Sequence, residues 1–519
     1  MQRLGIGHTR SMTRVEGEQG EMARAAADRD RFAGVRDDLW VVAALLAAVL
    51  FSRLVWFGYP IADYDEQLYS LVGNAMTHGA FPFVDLWDRK PFGLFALFAA
   101  AHAIGGPGPV AYQVLAALFT LAGGWLTYRL ALPLVDRVTA GGAGVLYVLL
   151  MSTYGSQSGQ SEAFFVPLLL AMAALVADPA HRDAMRRAMI AMVVGGVALQ
   201  VKYTALPQCI LLGLWVLWWR HRLGDGFARL ARLAIVFAAL GLLPTIVIGT
   251  GYAVAGYWDE FFFANFVSFF DRAASGGGRI HRDLVLFLMP LILLAVGGLY
   301  AALRLTRPRN GKHYVFILVL FVGCLATIFL PSTVYAYYFA AAVPSTILVA
   351  LPLLDRTGPA RWVPLALLVA GAAYIQFIPE TFEDSRKRHA QFDSFAAAIA
   401  PHVDGRAECM WIHDGPTALY TATGSCLPSR FVYPDHLNNL LERDALGISQ
   451  AEEVRRILAA RPPVIVTADS PLTPQSPDVL EMVRTALGED YRPLARTQVG
   501  ERTIRAWLRE DLSVGRDAD

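Results

Sequence analysis

Leu230–Gly251 reads LARLAIVFAALGLLPTIVIGTG, 22 residues in which Arg232 is the lone charged side chain. A helix rises 1.5 Å per residue, so a run of about 20 apolar residues crosses the hydrocarbon layer of a bilayer. Similar runs recur throughout. Spans are expected near Leu39–Gly58, Val110–Leu132, Ala140–Thr153, Ala163–Ala177, Met185–Val201, Tyr203–Trp219, Leu230–Gly251, Leu284–Leu305, Val315–Pro331, Tyr338–Leu354 and Val363–Pro379. The expected fold class is therefore an α-helical polytopic membrane protein with about eleven transmembrane helices. Only 17% of residues are charged, against about a quarter in soluble domains, and the deficit lies between Leu39 and Pro379. Residues 1–37 are polar and read as a disordered cytoplasmic tail. No cleavable signal peptide is evident before the first apolar run.

Basic residues set the expected orientation. With the N-terminus inside, the cytoplasmic flanks hold Arg129/Arg137, Arg182/Arg186/Arg187, Arg220/Arg222/Arg229/Arg232, Arg304/Arg307/Arg309/Lys312 and Arg356/Arg361, as the positive-inside rule requires. An odd number of spans then places the C-terminal domain, residues 381–519, outside the cytoplasm. Phe92–Ile104 is too short to cross and runs into Gly105-Gly106-Pro107-Gly108-Pro109, so it reads as a juxtamembrane or re-entrant helix. The expected location is a cell membrane, crossed many times. A net charge of +1 suggests no nucleic-acid partner.

Charges on the outer side are the unusual feature. The first outer loop, within residues 59–109, carries Asp63, Asp65, Glu66, Asp85, Asp88, Arg89 and Lys90. Glu162 opens one span, Lys202 sits between two others, and Arg272, Arg279, His281 and Arg282 fill a later loop. Ionisable groups near membrane depth are costly and mark function by default. Leu68, Val72, Ala75 and Met76 share one face of a short amphipathic helix, with the acids at its N-terminal end. Asp63 with Glu66 three residues on reads as a helix cap. For Lys90 and Lys202 the competing reading is an interfacial anchor; for Glu162, a helix cap.

Asp65-Glu66, Tyr69, Ala75-Met76, Gly79, Asp85 and Lys90-Pro91, followed by Glu162, Lys202, Tyr337-Tyr338 and Pro344, resemble an ordered set in GT-C superfamily glycosyltransferases. The closest resemblance is to bacterial transferases related to protein O-mannosyltransferases and lipid A aminoarabinose transferases, over residues 35–380. Two positions depart from it: Phe92 follows Lys90-Pro91 where relatives often have a second proline, and Glu162 stands where they often have Asp. The resemblance implies a GT-C transmembrane catalytic domain over residues 38–380. It also implies inverting transfer of a sugar from a polyprenyl-phosphate donor to an extracytoplasmic glycan, lipid or protein acceptor. On that reading Asp65 is the general base, and Glu66 and Glu162 position the acceptor or raise the pKa of Asp65 by like-charge repulsion. Lys90, Lys202 and Arg279 neutralise the donor phosphate, while Asp85, Asp88, Tyr337 and Tyr338 position substrate. The residues single out no certain cofactor, and a divalent metal bound by Asp65, Glu66 or Asp88 near the phosphate is left open. The competing class is a lipid-linked sugar flippase or transporter, for which internal repeats would argue; none is seen.

Beyond Glu380 the chain alternates strand and helix signals. Glu408–His413 and Pro463–Ala468 read as strands, and Ser449 caps a helix through Leu458. Pro477–Leu487 reads as another helix, and Thr497–Thr503 as a hairpin. A small α/β soluble domain follows, suited to acceptor docking or cover. Pro428-Ser429-Arg430-Phe431 is expected to face the membrane domain. Cys409 and Cys426 both fall outside, where a disulfide is permitted.

Overall fold

The structure, a computed structural model, describes residues 38–273, 284–329, 334–377 and 382–513. The tail of residues 1–37, and with it Arg279, His281 and Arg282, lie outside the described residues. Among those described, eight helices are long and apolar enough to cross a membrane. They are α1 (Asp38–Trp56), α4 (Pro109–Ala131), α5 (Arg137–Ser156), α9 (Phe227–Ala255), α11 (Leu284–Arg304), α12 (Gly311–Phe329), α13 (Ala336–Leu354) and one that begins at Val363, α14 (Val363–Phe377). The other three expected spans form shorter helices, α6 (Ser161–Val176), α7 (Ala184–Leu199) and α8 (Leu206–Arg222), and a short α10 (Trp258–Phe262) follows α9. Each of the eleven apolar runs is thus a helix, and the chain is a multi-pass membrane protein.

Local chemistry sets the ends. Asp136 accepts from Val138 N–H at 3.0 Å and caps α5, and Gly256, at φ 83°, ends α9 in the left-handed conformation. Between α1 and α4 lie two short helices, α2 (Tyr64–Thr77) and α3 (Phe92–Gly105). They pack closely because Gly73 leaves room: a Cβ there would meet Phe98 Cβ at 2.6 Å. The 14-residue α3 does not reach spanning length, in line with its reading as juxtamembrane.

Arg53, inside α1 and buried, explains how the loop after α5 is fixed. Its guanidinium donates to Ser158 O at 3.0 Å, Ser156 O at 2.6 Å and Thr120 Oγ1 at 2.6 Å. A charge this deep must be satisfied by such acceptors. The price is a loop pinned across the end of the bundle, directly under the acids of α2.

After α14 the helix α15 (Phe382–Ile399) leads into a four-stranded sheet, order β1-β2-β4-β3. The strands are β1 (Trp411–Ile412), β2 (Val464–Ala468), β3 (Tyr491–Val499) and β4 (Arg502–Arg509). The first pair is parallel and the rest antiparallel. Helices α16 (Gln450–Ala459) and α17 (Pro477–Asp490) cover the sheet, and Ser449 caps α16 through Glu452 N–H at 3.3 Å. The expected hairpin is real and longer than its reading. Cys409 and Cys426 form a disulfide. This domain docks on the bundle through α15, where His389 stacks on Tyr59 at 4.7 Å. It docks again through Trp87, whose backbone N–H donates to Arg430 O at 2.9 Å and whose ring meets Phe431 at 5.5 Å. The stretch around Arg430 and Phe431 therefore does face the membrane domain.

Candidate functional site

The first turn of α2 places Asp65 at the site. Asp63 caps the helix by accepting from Asp65 N–H at 3.0 Å, which turns the Asp65 carboxylate outward into a cavity of about 590 Å³. That carboxylate is held from several sides. Its Oδ2 accepts from Tyr69 OH at 3.2 Å and Tyr337 OH at 3.1 Å, with Lys90 Nζ at 3.8 Å. Its Oδ1 accepts from Tyr433 OH at 3.0 Å. Burial alone would raise its pKa. Lys90, then the Tyr433 hydroxyl, Lys202 and the Tyr337 hydroxyl outweigh burial and leave it below the usual carboxylate value. The expected upward push from Glu66 and Glu162 does not prevail, because cations and phenols surround Asp65 more closely.

Glu66 and Glu162 stand behind this surface, not on it. Glu66 is fully buried and accepts from Gly159 N–H and, at 3.3 Å, Tyr112 OH. Burial pushes its carboxyl up to about 7, against hydrogen bonds that lower it. Glu162 pairs with Lys202 Nζ and accepts from Ser161 Oγ at 2.9 Å. Lys202 reaches the cavity from the turn between α7 and α8, over the ring of Tyr338 at 4.1 Å. Burial lowers its pKa, with Glu162 opposing. The glutamate thus holds an ammonium in place at low exposure, which a lone buried lysine would not tolerate.

Asp88 lines the cavity, and its Oδ1 accepts from Arg89 N–H at 2.5 Å and Lys90 N–H at 3.1 Å, shaping the turn that presents Lys90. Asp85 points elsewhere: it is exposed and accepts from Phe81 N–H at 2.7 Å. Its place is that of a turn stabiliser. Among the described residues no three His, Cys, Asp or Glu side chains group to hold a metal ion.

Several cavity groups carry no mark in the sequence. Tyr433, Asp435, His436, Glu442 and Thr473 come from the C-terminal domain. Glu442 is buried between two guanidiniums, Arg89 and, at 2.5 Å, Arg272 Nε, and Arg272 also donates to Tyr335 OH at 3.1 Å. Burial would raise Glu442, but Arg89 and Arg272 bring it below the ordinary value. The triad joins the loop after α2, the segment after α9 and the C-terminal domain, with one positive charge in excess. A buried glutamate two residues past Asn439-Leu440 was the available signal, and it looks like any helix-turn acid.

Residues 89–248 match the family model described as dolichyl-phosphate-mannose-protein mannosyltransferase. No curated protein matches the chain by sequence. Among solved structures, ArnT from Cupriavidus metallidurans bound to undecaprenyl phosphate superposes with a TM-score of 0.62 at 16% identity, covering 90% of this chain and 98% of that one. Its apo form gives 0.60 at 15% identity, covering 90% and 97%. The oligosaccharyltransferase AglB from Archaeoglobus fulgidus, with an inhibitory peptide and a dolichol-phosphate, gives 0.46 at 12% identity, covering 82% and 69%. The expected fold is borne out: this membrane protein has the fold of ArnT.

Proposed function

We propose that this protein is an inverting glycosyltransferase that moves a sugar from a polyprenyl-phosphate carrier to a hydroxyl of an extracytoplasmic glycan, lipid or protein. One observation carries the reading. A single cavity sets an ionised carboxylate, Asp65, beside the cations Lys90, Lys202 and Arg272. That is the charge arrangement needed when a hydroxyl loses a proton while a phosphate departs.

In the proposed step the acceptor oxygen attacks the anomeric carbon from the face opposite the phosphate. Its proton passes to Asp65, the carbon–oxygen bond to phosphate breaks, and the electron pair leaves on the phosphate. Single displacement inverts the configuration. Lys90, Lys202 and Arg272 stabilise the developing negative charge where water is scarce. Arg279 was expected to share this role and lies outside the described residues. Lys90 has a double use: burial lowers its pKa, but Asp65 and Asp88 carry it above the usual lysine value. A bound phosphate competes for that charge, loosens its hold on Asp65 and makes Asp65 a stronger base. Glu66, with its higher pKa, faces Gly159 and Tyr112 instead of the cavity, so geometry favours Asp65. Tyr337 holds Asp65, and Tyr338 carries Lys202.

The carrier assignment is supported by the similar ArnT, solved with undecaprenyl phosphate. An extracytoplasmic site is supported by the basic flanks and by the Cys409–Cys426 disulfide, a bond of oxidising compartments. Residues 38–380 would catalyse, and residues 381–519 would cover the site and complete it. The test begins with lipids that copurify with the protein, identified by mass spectrometry. A polyprenyl-phosphate sugar found there is then offered to wild type and to Asp65→Asn. A general base contributes about 10²–10⁴-fold, so the variant should lose that much turnover while retaining donor binding and its Tm. Turnover near wild type would exclude Asp65 as the base.

A further inference from the structure

The C-terminal wall of the cavity carries polar groups for which glycosyl transfer, as drawn above, has no use. Asp65 and Glu442 are each engaged by cations. Asp435 lines the same cavity, and among the described residues no cation pairs with it. Its Oδ1 accepts from Thr473 Oγ1 at 3.1 Å and its Oδ2 from Asn439 Nδ2 at 3.3 Å. A carboxylate offers about four acceptor sites, so roughly two stay open toward the cavity. One residue on, His436 is 4% exposed and lines the same cavity. Burial depresses its pKa to about 4, leaving a neutral ring.

Aromatic surface accompanies these groups. The His436 ring meets Tyr433 at 5.4 Å and Trp87 at 4.8 Å. Tyr433 also donates to Asp65, so this wall is tied directly to the reacting carboxylate. Spare carboxylate acceptors, a threonine hydroxyl and the flanking rings of Tyr433, His436 and Trp87 are chemically suited to vicinal hydroxyls on a carbon ring. An isolated ammonium would need a second carboxylate to match the local positive excess of the Arg89–Glu442–Arg272 triad, and a phosphate would be repelled by Asp435.

We propose that Asp435, with Thr473, Tyr433 and His436, forms a subsite for the hydroxyl groups of a saccharide ring beside Asp65. The proposal deepens the glycosyltransferase reading and rests on it. The ring is either the sugar of the lipid donor or a sugar residue of the acceptor; both present the same hydroxyl chemistry. Asp435 is a specificity residue here, and its neighbours position it.

The test uses the full chain in lipid nanodiscs and three sets of probes: undecaprenyl phosphate, undecaprenyl-phosphoryl pentoses and hexoses, and methyl glycosides of the same sugars. Hydrogen bonds to a charged group support a loss of about tenfold or more when the charge is removed. If the subsite takes the donor sugar, at least one sugar-bearing lipid binds wild type more tightly than undecaprenyl phosphate. Asp435→Asn then erases that gain by about tenfold. If it takes the acceptor, Asp435→Asn weakens a methyl glycoside by a similar factor and leaves the lipid gain intact. In either case binding of undecaprenyl phosphate alone stays within about twofold. Thr473→Val, which keeps the shape of the threonine, should show a smaller loss of the same kind.

A stability readout separates recognition from structural support. Burial, then Glu442, raises the Asp435 carboxyl to about 6. A carboxyl raised on folding costs stability as pH climbs from its unfolded value through the folded one, so at pH 7.5 that cost is fully present. Asp435→Asn removes it, and its Tm at pH 7.5 should hold or rise while saccharide binding falls. The proposal is overturned if no probe sugar adds affinity in wild type, or if Asp435→Asn leaves saccharide affinity unchanged. It is equally overturned if the variant loses undecaprenyl phosphate and saccharide alike with a lowered Tm. Failure of Asp65→Asn to reduce turnover would instead strike the base assignment and leave these binding results standing.

Discussion

The two walls of the cavity differ in how they are built. The membrane-domain wall, with Asp65, Lys90, Lys202 and Tyr337, is made of charges placed where apolar residues dominate. Each such charge must be held by a partner: Glu162 for Lys202, Asp65 for Lys90. The C-terminal wall, with Tyr433, Asp435, His436, Glu442 and Thr473, is made of polar side chains in a domain where polar side chains are ordinary. Only its geometry, turned toward Asp65 and closed by Arg89 and Arg272 on Glu442, distinguishes it. Function is thus legible in sequence where the background makes a residue expensive, and hidden where the background makes it cheap.

The comparison breaks first if the two walls do not share one side of the membrane. Single cysteines at Gly311, Ala360 and Gly488, all at exposed or open positions, read this as an all-or-none outcome. With the orientation inferred from the basic flanks, an impermeant thiol reagent added to intact cells labels Gly488→Cys and spares the other two. Label on Gly311→Cys and Ala360→Cys alone would reverse the topology, and the acceptor would then be cytoplasmic.

Within the membrane-domain wall, the ion pair behind the surface is the next point of attack. Lys202→Ala removes a cation facing the cavity and leaves Glu162 buried without its partner, a change that also destabilises. The double variant Lys202→Ala with Glu162→Gln removes both charges and isolates the catalytic part. Loss of one donor to developing negative charge costs about 10²–10³-fold in kcat. The double variant should fall by about 10²-fold with its Tm near wild type, whereas Lys202→Arg should fall less than about tenfold. Equal turnover in all three would make Lys202 an anchor and shift the leaving-group role to Lys90 or Arg272.

Those outcomes bear on what the sequence could disclose. The eleven apolar runs were visible because burying a helix in lipid demands about 20 apolar residues, and each became a helix. Among the described residues α6, α7 and α8, like the described part of α14, are shorter than the requirement and still belong to the bundle, so length alone undercounts them. Asp65, Lys90 and Lys202 were visible through their cost near the membrane. The burial of Glu66 and Glu162 behind the cavity was not, since adjacent positions on a helix face different ways and only the pinned loop around Gly159 decides which carboxylate reaches the site. Asp85 carried a family resemblance and proved to hold its own turn. Tyr433 could not be foreseen at all, because its role depends on a chain separation of 368 residues closing back on α2.

That long-range contact supplies the finest test of whether the C-terminal wall takes part in the chemistry. Tyr433→Phe keeps the ring against His436 and removes only the hydroxyl that donates to Asp65 at 3.0 Å. Asp65 retains Lys90, Tyr69 and Tyr337, so turnover should fall modestly, by about threefold to tenfold, as for one hydrogen bond to a charged group among several. The sign of the pH effect is sharper than its size. The Tyr433 hydroxyl is, after Lys90, the strongest influence lowering the Asp65 pKa. Removing it lets that pKa rise, so the acid limb of the kcat/KM profile should move to higher pH. A tyrosine that merely packed the domain against α2 would lower activity evenly across pH and depress the Tm. An unmoved acid limb would therefore confine the C-terminal domain to covering the site, and a shifted one would make its Tyr433 part of the machinery that sets the strength of the base.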